Sequence, residues 1–214
     1  MIRCLRCLKR GSIFAAAFIC AYLINGGAAH AADFAASGSI TLNGNISSLS
    51  GTFGPSTYDG NNGVISAGAF DFPQSTIQFG SGGDSQVTVT YQLVQTDTSS
   101  GQVASDGLAA LTHATMKLHV IAAHTPAILW SVGTSCDFQP IDVVLDGTGA
   151  ASGMDLVASG FTIPAVDASA CGGHGSQLNA GLSGNQTSTK VHLEGDFTPP
   201  SDIIFADGFD LGRG

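Results

Sequence analysis

From residue 32 onwards the apolar positions recur at a period of two, not at the spacing of a helix. The clearest stretch is Gln86–Gln95. There Val87, Val89, Tyr91 and Leu93 fall on one face, and Thr88, Thr90 and Gln92 on the other. Thr112–Val120 repeats the pattern, with Ala114, Met116, Leu118 and Val120 on one side and His113, Thr115, Lys117 and His119 on the other. Between them Thr96–Gly107, rich in Ser, Thr, Asp and Gly, reads as a turn or a short extra strand pair. Further strands are predicted at Ser39–Leu42, Val64–Phe72, Ser75–Phe79, Ala127–Val132, Ile141–Leu145, Met154–Ala158, Phe161–Ile163, Gln177–Leu182 and Lys190–Phe197.

Turn signals fall about every 8–12 residues, which predicts an all-β fold. An antiparallel β-sandwich is the first expectation and a soluble β-barrel the alternative. A transmembrane barrel would need strands of about ten residues and aromatic girdles. Aromatic residues make up only 7% of the chain, and many predicted strands are shorter than that. Three strands end alike, in Ile40-Thr-Leu42-Asn-Gly44, Val143-Val-Leu145-Asp-Gly147 and Val191-His-Leu193-Glu-Gly195. The shared glycine reads as a bend or bulge at a strand end rather than as an internal repeat. The first and last of these strands lie near the ends of the mature chain and are expected to pair, closing the sheet.

The first thirty-one residues do not share this pattern. Arg3, Arg6, Lys9 and Arg10 precede an uncharged apolar run, Ser12–Ile24. That run falls short of the roughly 20 residues a membrane span needs. Ala29-His30-Ala31 then supplies small residues where a signal peptidase cuts, so cleavage is predicted between Ala31 and Ala32. The lack of a consecutive arginine pair favours the general secretory route. The expected organisation is a signal peptide at 1–31, an all-β domain at 32–197 and a Pro-led tail at 198–214. The mature chain should be secreted or periplasmic, with no transmembrane segment.

Removing the leader changes the chemistry. The Cys4-Leu-Arg-Cys7 pair and Cys20 go with it, leaving Cys136 and Cys171, which an oxidising compartment should join as a disulfide. Three basic residues remain (Lys117, Lys190 and Arg213) against sixteen acidic ones, a net charge of −13. So few cations cannot neutralise a run of phosphates, which excludes nucleic acid as a partner. An anionic membrane surface would repel such a chain.

After Thr198-Pro-Pro-Ser201, a stiff spacer, the chain ends in Asp202-Ile-Ile-Phe-Ala-Asp-Gly-Phe-Asp-Leu-Gly-Arg-Gly214. Ile204, Phe205, Asp207, Gly208 and Phe209 resemble the short Ile-Phe-x-Asp-Gly-Phe-Glu ending of assorted exported gammaproteobacterial proteins. Asp210 replaces the usual Glu, and four residues follow it. The resemblance covers about ten residues and implies a sorting or docking tag. The other reading is an end whose apolar residues pack on the domain.

Catalytic signals are sparse. His113 and His119, six residues apart on one strand face, stand roughly 20 Å apart, too far to share one metal. His124 lies just beyond that strand. His192-Leu-Glu194 has the His-x-Glu spacing of zinc deaminases without their Pro-Cys-x-x-Cys. His174 and Ser176 sit in a loop beside Cys171, with no Gly-x-Ser-x-Gly elbow. Asp137, Asp142 and Asp146 offer carboxylates for a glycosidase. Calcium is the one cofactor the composition leaves room for. Asp59-Gly-Asn-Asn-Gly63 resembles a calcium loop but has Gly where the fifth ligand belongs. Asp207 and Asp210 lack a third carboxylate nearby. Gly80–Gly83 lacks the Lys-Ser/Thr of a phosphate loop and reads as a hairpin connection. Trp130, the only tryptophan, is expected in the core, packed against the disulfide. The composition therefore points to a binding or structural module whose partner is a glycan, a lipid or an envelope protein. A secreted hydrolase of carbohydrate or ester, or a self-associating surface or matrix protein, are the alternatives.

Overall fold

The computed structural model describes residues 32–201. The leader 1–31 and tail residues 202–214, Ile204, Phe205, Asp207, Gly208 and Phe209 among them, lie outside the described residues. The expected cleavage between Ala31 and Ala32 falls at the edge of the described residues.

The strands are β1 (Ala32–Leu42), β2 (Asn45–Ser56), β3 (Tyr58–Asp59), β4 (Val64–Asp71), β5 (Ser75–Phe79), β6 (Val87–Gln95), β7 (Ser99–Val103), β8 (Leu108–His124), β9 (Leu129–Trp130), β10 (Ile141–Ala150), β11 (Gly153–Ile163) and β12 (Gly184–Glu194). Two short helices, α1 (Ala170–Gly173) and α2 (Gly175–Leu182), precede β12. All pairings are antiparallel. They run β1–β2–β4–β7–β8–β10–β11–β12 and return from β12 to β1, a closed eight-stranded barrel. The closing ladder aligns Ile40 with Thr189 and Gly38 with Val191, so the first and last strands do pair. The single closed sheet fits the barrel alternative and does not form the two stacked sheets of a sandwich.

Two wall strands are interrupted. Met116 of β8 faces Ile141 on one side and Gln95 on the other, so β6 and β7 lie on the same flank of β8. They form one strand broken at Thr96–Thr98. β4 and β5 continue each other in the same way. β4 pairs with β2, and β5 is tied beside β2 by bonds from Ser47 Oγ to the Thr76 carbonyl and from Ser75 Oγ to the Ser48 carbonyl.

Alternation decides which residues fill the barrel. Val87, Val89, Tyr91 and Leu93 are all buried, as are Ala114, Leu118 and Val120, while Met116 is half-buried. Outward positions carry Thr88, Thr90, Asp142, Asp146, Lys190 and His192. An apolar interior inside a polar wall is the reverse of a lipid-embedded barrel. Among the described residues no helix is long and apolar enough to cross a membrane.

Both mouths are closed. At one, α2 lays Leu178 and Leu182 into the core, and its Gly181 lies so close to Phe79 that a Cβ would sit 2.2 Å from the ring. Asn43 in the β1–β2 turn donates to the Ala180 carbonyl, and Asn179 bonds both backbone groups of Val166. At the other mouth the segment after β12 crosses the opening. Phe197 is fully buried there, its ring 4.8 Å from Phe34 and 5.4 Å from Tyr58.

Several local expectations need correction. Gln177–Leu182 is helix, not strand; Leu178, Gly181 and Leu182 follow the i, i+3, i+4 spacing that buries one helix face. Ala127–Val132 is strand only at Leu129–Trp130. Asn45–Ser56, for which the sequence predicts no strand, is a twelve-residue strand. Its glycines and serines obscure an inward row of Ser47, Leu49 and Phe53. Gly147 lies within β10 rather than at its end. A Cβ there would stand 1.7 Å from the Asp155 carbonyl oxygen, so the glycine permits a close strand approach.

Candidate functional site

The interior offers little room. A void of about 30 Å³ lies among Ile40, Leu49, Phe72, Leu93, Val143 and Ile163. Pockets for small ligands usually measure about 300–1,000 Å³. The barrel as it stands holds side chains where an acyl chain would have to go, and the lining is almost wholly apolar.

The polar chemistry lies on the outer wall. Asp137, half-buried between β8 and β10, accepts a hydrogen bond from His119 Nδ1 at 2.6 Å and one from Lys117 Nζ at 3.1 Å. Burial pushes its carboxyl up, but the hydrogen bonds from His119 and Lys117 and their charges outweigh it and hold the pKa below the ordinary range. A backbone bridge between His119 and Asp137 fixes the pair. Sequence reasoning places His119 on the polar face but gives no sign of its partner. The contact arises because the residues after Cys136 run beside β8, with Val120 donating to the Cys136 carbonyl and Phe138 to that of Leu118.

Two other histidines face aspartates across the wall. His192 Nδ1 lies 2.8 Å from Asp155 Oδ1, and His113 Nδ1 is 4.0 Å from Asp142 Oδ2. Each is a simple pair, and both are exposed. His124 Nδ1 lies 3.2 Å from the Thr125 carbonyl. Glu194 stands on the same outward face as His192. Among the described residues no three His, Cys, Asp or Glu side chains gather as metal ligands would.

The hydrolytic candidates do not converge. Asp142 and Asp146 both point outward from β10, four residues apart, so their carboxylates stand roughly 13 Å from each other. A glycosidase pair needs about 5–9.5 Å. His174 stacks on Trp130, with ring centroids 4.5 Å apart and planes 6° from parallel. Its Nδ1 is buried without a hydrogen-bond partner, and no hydrogen bond joins it to Ser176. Asp59 accepts bonds from the backbone and side-chain nitrogens of Asn61, the geometry of a turn-forming aspartate. Gly80–Gly83 lies in the β5–β6 connection.

Trp130 is half-buried rather than a core residue. It packs on the segment that carries Cys171, whose sulfur is bonded to that of Cys136 with the Cα atoms 4.7 Å apart. The disulfide thereby ties the β8–β10 connection to the helices over the mouth.

One apolar surface has no forerunner in the sequence reading. A trough of about 540 Å³ runs across the outside of β7, β8, β10 and β11, where Ala104, Leu108, Ala110 and Val157 line it together with the polar Gln102 and Asp146. Leu108 is 61% exposed and Val157 49%. The signal available in the sequence is an apolar residue on the outward phase of a strand, as Val157 is beside Leu156. Compared with family models, with curated proteins and with solved structures, the chain shows no match.

Proposed function

We propose that the mature protein is an exported binding or structural module of the cell envelope or extracellular space, and that it meets its partner with its outer wall. One observation carries this reading. The barrel is filled and stopped at both mouths, with an internal void of about 30 Å³. Recognition is therefore left to the exterior, where loops and strand faces display polar side chains on a rigid frame. The buried sulfur bridge suits an oxidising compartment. A glycan or an envelope protein is the partner class that a polar, acidic exterior accommodates. The dispersed Asp and His side chains weigh against hydrolysis.

The test has two arms. Intact mass of the protein from its native host should correspond to a chain beginning at Ala32 with its cysteines resistant to alkylation. The purified mature protein should then be retained, saturably, by isolated peptidoglycan or outer-membrane fragments in a sedimentation assay. A product beginning at Met1 would overturn export. Absence of saturable retention, or turnover of ester or glycoside substrates that vanishes in His119→Ala or Asp137→Asn, would overturn the binding role.

A further inference from the structure

The ladder between β10 and β11 is incomplete. It starts at Ala150–Gly153 and ends at Asp146–Val157. Both strands run on past that point. Ile141–Leu145 is then held by β8 alone, and Ala158–Ile163 by β12 alone. Alternate residues of each lip turn a backbone N–H and C=O into the gap without a ladder partner. The gap is bounded at its far end too. The segment before β10 carries Cys136 and the segment after β11 carries Cys171, and their disulfide ties the lips together again. The result is a slot fixed at both ends, not a frayed strand end.

A hollow of about 390 Å³ lies over the slot, lined by Asp142, Val144, Val157, Ser159 and Phe161. Val143 and Phe161 also line the inner void, so the wall is thin here. A Cβ on Gly160 would meet nothing within 4 Å. The two lips differ. That of β11 is kinked, with register shifts on either side of Phe161 and a positive φ at Gly160. That of β10 keeps a regular alternation, Asp142 and Val144 outward, Val143 and Leu145 inward. It holds no Lys or Pro, the residues that commonly guard a strand edge. Its outward charges are acidic, Asp142 and then Asp146, with His113 4.0 Å from Asp142. Lys190 stands on β12, one strand beyond the slot.

We infer that the slot takes an extended segment of another protein, added as a strand along Ile141–Leu145. Backbone donors and acceptors repeating at strand spacing are matched by an extended polypeptide. The lip is roughly 13 Å long, so four or five residues engage it. Inward side chains of the added strand meet Val143 and Phe161 and are apolar. Outward ones are cationic: one faces Asp142, and the next lays its stem over Val144 with its charge towards Asp146. The inference rests on the reading that the outer wall binds a partner, and it narrows that partner to a protein.

The probe is a blocked octapeptide of alternating lysine and valine, titrated into residues 32–214 and followed by nuclear magnetic resonance. The amides of Asp142–Leu145 and Ala158–Ile163 should shift saturably. Methylating every second peptide nitrogen, in one of the two phases, should abolish binding, because it removes the ladder bonds and leaves the charge. Asp142→Asn, at an exposed position, should raise Kd about two- to five-fold. No saturable shift at a few millimolar peptide would overturn the inference. Equal binding of a glutamate–valine octapeptide, or of both methylated forms, would also defeat it by showing contact without strand pairing. Lip amides that shift with protein concentration alone would assign the slot to a second copy of the chain and likewise count against it. Retention by envelope fragments without peptide binding would sink the slot and leave the wider reading standing. Peptide binding without such retention would fault the envelope partner alone.

Discussion

Breaking the Cys136–Cys171 link should lower the melting temperature by about 10 °C. The bond closes a loop of 35 residues. In the chain-entropy account, closing a loop of that length removes roughly 13 cal/mol/K from the unfolded ensemble, or about 4 kcal/mol at 25 °C. A folded body of about 170 residues has an unfolding entropy near 0.36 kcal/mol/K at the midpoint, and the ratio gives about 10 °C. The local structure explains where the loss falls. The link pins α1 to the connection between β8 and β10, so without it the α1–α2 cap is held over the mouth only by its packing and by bonds such as Asn43 to Ala180. Calorimetry of the folded body, residues 32–214, with and without reductant measures the drop directly, because reduction keeps both sulfurs in place. A Cys136→Ala/Cys171→Ala variant should melt at or below the reduced protein and be indifferent to reductant. A shift under about 3 °C on reduction would refute the reasoning, showing that the loop is already restricted in the unfolded chain.

The stopper at the opposite mouth gives a second expectation: Phe197→Ala should destabilise by about 3–5 kcal/mol in urea titrations, since the ring is fully buried against Phe34 and Tyr58. An effect below about 1 kcal/mol would mean the segment is not seated. Gly181→Ala should cost about 1–3 kcal/mol by driving α2 off the Phe79 ring, and an unchanged midpoint would contradict the close approach. Asp137 adds a dependence on acid. Its folded pKa lies below the ordinary 3.8, so its stabilising contribution is present above that value and is lost as pH falls through the folded pKa. Asp137→Asn should therefore flatten the fall of melting temperature below that point; a fall as steep as the wild type's would refute the His119–Asp137–Lys117 cluster.

Much of the wall was legible because alternation reports burial directly. Val87 to Leu93 and Ala114 to Val120 carry their inward side in the residue order. What alternation does not carry is curvature. A sandwich and a barrel both bury one face of each strand, and the choice lies in which strands pair last. The likeness of Ile40–Gly44 and Val191–Gly195 hinted at it through their places near the two ends. β2 was hidden because Ser47 and Gly51 occupy inward places that an apolar pattern would fill. α2 was hidden because Gly175–Leu182 is short and weakly patterned, and it is shaped by the mouth it covers. The outward cluster was illegible for another reason. His119 and Asp137 are eighteen positions apart and meet only through the bridge beside β8.

The seam between β1 and β12 has a kinetic consequence. The ladder that completes the wall joins residues 35–41 to residues 188–194, nearly the whole length of the body apart. A nascent chain lacking its final strand has two raw edges and no route to its native state, and contacts of such wide separation form slowly. The wall cannot close until the C-terminal strand is available to pair with β1. That delay is what a protein needs if it is to be threaded through a membrane channel before it folds.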